Sequence, residues 1–205
     1  KKEVDVYPDG FDGTSINTEK YSLKITGNGS LKQENEILMT GDAKDEVIWT
    51  ILYITKKVDF SKDFTVEVDL NLTSDIIRGD AMAIMAVEPR EKVELGVMPE
   101  HDYCEVSVSP SHGTIIRTEL SGHGSQIPQT AGKFKLDYNH LRQKLTCTLD
   151  NKDIDEDQPW QFGDYVITLR AGLHDITAGG IEKPTTGSFT VKYDNLNFVQ
   201  SSDKK

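Results

Sequence analysis

Apolar residues in this 205-residue chain recur at every second position along most of its length, and that period decides what the chain can fold into. Phe64, Val66, Val68, Leu70 and Leu72 share one side of an extended segment, with Thr65, Glu67, Asp69 and Asn71 on the other. Strand side chains alternate between faces, so this segment reads as a half-buried strand. Phe134, Leu136 and Tyr138 make a second such face, and Leu145, Cys147 and Leu149 a third. Residues 139–143 turn between these two, which predicts a hairpin. Segments 49–54 and 82–87 are apolar on both faces, as central strands covered on each side are.

Further strands are expected at 21–26, 37–40, 93–98, 103–109, 114–120 and 165–171, separated by glycine-bearing turns such as Thr26-Gly27-Asn28-Gly29 and Arg78-Gly79-Asp80. No segment carries a helical stripe. About a dozen short strands without helical partners predict an all-β, two-sheet antiparallel sandwich of the jelly-roll kind. No repeat, linker or low-complexity run interrupts the pattern, so residues 1–205 read as a single domain.

The closing segment, 187–199, carries one irregularity. Phe189, Val191 and Tyr193 are apolar at odd positions, whereas Leu196 and Phe198 continue at even ones. The apolar face therefore slips by one residue at Asp194-Asn195, which predicts a β-bulge that turns a carboxylate out of register. An acidic side chain at a bulge invites a cation or a specific polar partner.

The net charge of −11 would repel a phosphate backbone, so nucleic acid is not an expected partner, and anionic membranes are disfavoured likewise. No run approaches the roughly 20 apolar residues of a membrane helix. The start at Lys1-Lys2-Glu3 is what a mature chain would show, so a cytoplasmic origin does not follow. Cys104 and Cys147 each lie on an apolar strand face; buried free thiols are the expectation, with one inter-sheet disulfide as the alternative. Asn28-Gly29-Ser30 and Asn71-Leu72-Thr73 fit the glycosylation pattern, which matters only in a eukaryotic secretory host.

Several motifs occur in a telling order: Phe11-Asp12-Gly13-Thr14-Ser15-Ile16-Asn17-Thr18, Gly29-Ser30-Leu31-Lys32, Glu34-Asn35-Glu36-Ile37-Leu38-Met39, the 64–72 strand, the 132–138 and 145–152 segments, and Val191-Lys192-Tyr193-Asp194-Asn195-Leu196. Over nearly the whole chain this resembles the concanavalin A-like lectin/glucanase superfamily, and its bacterial secreted members in particular. The resemblance implies an extracytoplasmic protein of two packed sheets, one of them concave, with any glycan lying across the concave face. It also implies a structural calcium ion, held by the carbonyls of Gly10 and Glu36 and the carboxylate of Asp194, with Asp12 a weaker contributor. Oxygen-only ligands are what calcium prefers. An Asp194 that only hydrogen-bonds the N-terminal segment is the alternative.

Glu67-Val68-Asp69-Leu70-Asn71 looks like the Glu-x-Asp-x-Glu strand of family-sixteen glycoside hydrolases, but Asn71 cannot exchange a proton as the third carboxyl does. A solvated face is the expectation there. Arg117-Thr118-Glu119-Leu120, Gln126-Ile127-Pro128 and Leu169-Arg170-Ala171-Gly172-Leu173-His174 resemble alginate-lyase strands. Pro128 and His174 replace the histidine and tyrosine of that chemistry, and the first two motifs stand too close together. Asp153, Asp155, Asp157 and Asp164 have the spacing of a calcium-binding loop without its glycine, so an exposed acidic loop is expected. The five histidines show no zinc spacing.

Tyr103, Glu105, Arg117 and Glu119 point away from the apolar positions of their strands and are expected to line the open sheet. Trp160, in the loop Gln158-Pro159-Trp160-Gln161-Phe162, is a candidate platform for a pyranose ring. Trp49, sharing a face with Ile51 and Tyr53, reads as core. The leading expectation is a non-catalytic carbohydrate-binding module. The alternatives are a divergent polysaccharide hydrolase or lyase that uses Glu105 and Glu119, and a structural or adhesion domain. Nothing in the sequence sets the oligomeric state.

Overall fold

A computed structural model describes residues 4–96, 103–111, 113–118, 125–127, 129–150, 152–157, 163–176 and 182–201. In chain order the elements are β1 (Val4–Asp9), β2 (Tyr21–Thr26), β3 (Gly29–Gln33), β4 (Ile37–Glu46), β5 (Ile48–Lys57), β6 (Phe64–Arg78), β7 (Asp80–Pro89), α1 (Arg90–Leu95), β8 (Tyr103–Ser109), β9 (Gly113–Thr118), β10 (Ser125–Gln126), β11 (Ala131–Asn139), β12 (Lys144–Leu149), β13 (Lys152–Asp157), β14 (Tyr165–Ile176), β15 (Glu182–Lys183) and β16 (Thr185–Ser201). They form two antiparallel sheets. Sheet A runs β13-β12-β11-β6-β16-β4-β3 with β1 beside β16; sheet B runs β10-β9-β8-β7-β14-β5-β2 with β15 beside β14. The all-β sandwich read from the alternation is the fold observed.

The main core lies between the sheets. Alternation turns Val66, Val68, Leu70, Phe134, Leu136, Val191 and Tyr193 of sheet A towards Leu52, Ala83, Met85, Ile167 and Leu169 of sheet B. The hydroxyl of Tyr193 crosses this core and donates to the carbonyl oxygens of Arg170 (2.6 Å) and Ile84 (3.3 Å). Burial drives its ionisation well above the usual phenol range, so it stays a donor.

Three expectations are corrected. Residues 93–98 do not form a strand: Arg90–Leu95 is a short helix, capped by Gly96 in the left-handed conformation, and residues 97 and 98 lie outside the described region. Val93 and Leu95 looked like alternation, yet Arg90-Glu91-Lys92 are good helix formers and only Val93 is buried. The acidic segment 153–157 is not a loop but part of edge strand β13, with Cys147 opposite Asp155. Its charges hide the strand period, and charged edges resist pairing with other chains. The cysteines are not free thiols. Cys104 of β8 and Cys147 of β12 are disulfide-bonded with Cα atoms 5.6 Å apart, tying sheet B to sheet A.

The expected bulge is present in β16, but it re-aims the neighbour of the expected residue. Asp194 stays opposite Asp69, the register then jumps to Asn197 opposite Glu67, and Asn195 takes the left-handed conformation (φ 51°).

Candidate functional site

Sheet B is apolar on both faces, as segments 49–54 and 82–87 foretold. Trp49, Ile51, Tyr53, Met82, Ile84, Ala86, Tyr103 and Val166 form a second cluster on its outer face, joined by Val93 of α1. Cross-strand register sets a row across this face: Lys24, Ile51, Arg170, Ile84, Glu105 and Arg117. A parallel row holds Thr26, Trp49, Gly172, Met82 and Ser107.

Four ionisable side chains are buried within this outer face: Glu88 (2 % exposed), Glu105 (0 %), Arg170 (0 %) and His174 (1 %). Among the described Asp, Glu, Lys, Arg and His residues these are the side chains most completely withdrawn from water. Arg170 grips Glu88 with two donors, Nε to Oε2 at 2.7 Å and Nη2 to Oε1. Thr168 Oγ1 adds a third bond to Oε2 at 2.5 Å. Three donors converge on one carboxylate and fix it in a single orientation. Ala86, opposite Thr168, leaves room on the sheet for the long side chains beside it. The indole of Trp49 lies over Gly172, where a Cβ would overlap the ring, and its centroid is 5.1 Å from the ring of His174.

The expected glycan-facing residues fall as follows. Tyr103 and Glu105 do sit on this outward face, next to Ala86 and Ile84, but both are buried rather than open to solvent. Arg117 is opposite Glu105 on β9. Glu119 and Trp160 lie outside the described residues. Trp49 is buried as expected, though in the outer cluster and not between the sheets.

Gly10, Glu36 and Asp194 lie around one junction. β6 flanks one side of β16, while on the other side β4 begins with Ile37 opposite Tyr193 and β1 ends with Asp9 opposite Leu196. Glu36 and Gly10, each one residue beyond those pairs, therefore flank Asp194-Asn195. The carbonyl of Glu36 accepts the Glu34 N–H (2.9 Å) and its carboxylate meets Lys192 Nζ (2.5 Å). Asp194 Oδ1 accepts the Asn195 N–H at 2.7 Å. One carboxylate and two carbonyls fit calcium in donor type. Nearby, Gln33 Nε2 donates to the carbonyls of Phe11 and Asp12, both at 3.0 Å, and Asn35 Oδ1 accepts the Gly13 N–H at 3.1 Å. Amide side chains thus staple the Phe11-Asp12-Gly13 motif.

The outer face of sheet A is solvated, as expected for Glu67, Asp69 and Asn71. Lys133 Nζ lies 3.2 Å from Glu67 and 3.0 Å from Asp69, and Asn195 Nδ2 donates to Asp69 at 2.7 Å. Partial burial opposes the charge on Asp69, but Asn195 and Lys133 outweigh it and hold the carboxyl below its usual range. Asp69, then Glu67, raise the ammonium of Lys133 in turn.

Glu88, Thr168, Gln33 and Asn35 were not among the expected site residues, and Arg170 was noted only within the lyase-like segment 169–174. The amide staples left no periodic trace.

No protein-family model matches the chain, and no curated protein does. Solved structures match in shape. A winged bean acidic lectin complexed with methyl-α-D-galactose superposes with a TM-score of 0.60 at 13 % identity, covering 98 % of this chain and 100 % of the lectin. LamAcat from Zobellia galactanivorans gives 0.57 at 14 % identity, covering 96 % of each chain. A structure from work on endo-acting O-glycanases of the human gut microbiota gives 0.61 at 13 %, covering 96 % and 99 %. The shared architecture, spanning each partner end to end, is that of the concanavalin A-like lectins and glucanases, and this chain has that fold.

Proposed function

We propose that the protein is an extracytoplasmic carbohydrate-binding module that acts without catalysis and takes glycan on the outer face of sheet B. The observation that carries this reading is the gathering of Glu88, Glu105, Arg170 and His174 on that one face. Buried ionisable groups are costly, and a face that served only to pack would need none of them. Aromatic rings beside fixed hydrogen-bonding groups are also what pyranose recognition requires. Lectins among the structural neighbours support the same reading.

Binding is favoured over hydrolysis by Asn71, which stands where the Glu-x-Asp-x-Glu strand would need a third carboxyl to exchange a proton. Glu88 is already engaged by Arg170 and Thr168. The extracytoplasmic location is supported by the Cys104–Cys147 disulfide, since such bonds persist in oxidising compartments. Gly10, Glu36 and Asp194 would hold a structural calcium ion, whose contribution would be to cross-link the two chain ends.

A glycan array probed with and without chelator tests the reading. Retention of at least one glycan is expected, with chelation lowering the melting temperature. Retention of none sinks the binding module, and release of reducing sugar or unsaturated uronate from any polymer replaces it with an enzyme.

A further inference from the structure

We propose that α1 is a strap over a stacking platform, and that glycan reaches Trp49 only when the strap lifts. This rests on the outer face of sheet B being the glycan face. α1 leaves the end of β7 at Pro89, and Arg90 Nη2 donates to the Thr55 carbonyl of β5 at 2.9 Å. Arg90 also pairs with Asp164, through Nε to Oδ2 at 3.0 Å and its N–H to the carbonyl at 2.8 Å. Val93 enters the cluster of Trp49, Ile51, Tyr53 and Val166. At the far end Gly96 abuts β2, where a Cβ would lie 2.9 Å from Thr26 Cγ2 and 3.2 Å from Lys24 Cε. The segment therefore runs from the end of β7 past β14 and β5 to β2.

Its hold is concentrated in Arg90 and Val93. It has six residues, no side-chain cap at Pro89, one buried side chain, and Leu95 is 66 % exposed. A helix this short has no stability of its own, and segments with few buried contacts are the first to open. What it hides is unlike ordinary core. The Trp49 ring lies over Gly172, with its other face turned away from the sheet and Tyr53 four residues on. Opening the strap presents that aromatic face to the apolar side of a sugar ring.

The test compares wild type, Arg90→Ala, Val93→Ser and Arg90→Ala/Trp49→Leu, with Trp160→Phe added only in the samples used for quenching. Acrylamide quenching reads the exposure of Trp49, and calorimetry reads binding to soluble β-glucan, galactan and alginate. Either single variant should raise quenching and tighten binding about threefold or more, because less of the affinity goes into opening the strap. Trp49→Leu should remove that gain. Tighter binding by a single variant where wild type is silent counts in the same direction. If wild type binds but both single variants bind no better while quenching rises, the strap is refuted and the glycan face stands. Binding by none of the four proteins overturns both.

Discussion

On the outer face of sheet A, Glu67, Asp69, Lys133 and Lys192 stand partly in water and pair with one another or with Glu36. On the outer face of sheet B, Glu88, Arg170, Glu105 and His174 are shut away from it. Both faces belong to the same sandwich and share its core. Charges at a solvated face cost little and contribute little. Charges withdrawn from water cost several kcal/mol each unless matched, and they hold their partners in one geometry. The first face is what alternation produces by default; the second holds its charges in one geometry, as the proposed glycan face requires.

The comparison can be broken at the pair that defines it. Arg170→Ala leaves Glu88 buried without its cation and should cost about 3–5 kcal/mol in denaturant unfolding, whereas methionine at both positions should recover most of the loss. A double variant as unstable as the single one would mean that the pair is not what this face depends on. Joining the two sheets, Cys104–Cys147 closes a segment of 43 residues, and replacing both cysteines by alanine should cost about 2–4 kcal/mol. Gln33→Ala, which strips the donor from two carbonyls, should cost about 1–3 kcal/mol and loosen the N-terminal segment in hydrogen exchange.

The smallest effect belongs to sheet A. Lys133→Ala should cost less than about 1 kcal/mol, since Lys133 and Asp69 are nearly half exposed. Its pH dependence carries a sign. Asp69 ionises more readily in the folded chain, so its contribution is present above roughly pH 3.9 and is lost as pH falls through the folded value. Lys133 holds its proton more tightly, so its contribution is present below roughly pH 10.4 and is lost as pH rises through the folded value. The wild-type advantage should therefore plateau between those limits and vanish outside them. An advantage that persists at pH 2 would show that Asp69 is not its source.

Strands with one wet face and one dry face were legible in the sequence because their period is visible, and β2 and β8 fall on the residues expected. Central strands were legible as unbroken apolar runs. The short helix was not, since six residues give less than two turns of pattern and Val93 and Leu95 imitate a strand. Nor was β13, where edge charge hides the period. At the site, Tyr103 and Glu105 could be assigned to the outward face, because alternation fixes a face. Their burial could not, because it depends on what packs over that face from elsewhere in the chain. The disulfide was similarly out of reach: each cysteine's face was evident, but their distance is a property of how two sheets pack.

The central claim is that the outer face of sheet B meets glycan and that of sheet A does not. Calorimetry with whichever glycan the array retains, comparing wild type, Tyr103→Ala and Lys133→Ala, tests it most directly. The account predicts about a tenfold or greater loss of affinity for Tyr103→Ala, the equivalent of roughly 1.4 kcal/mol, and none for Lys133→Ala. Equal affinities for all three proteins, or a loss confined to Lys133→Ala, would contradict it.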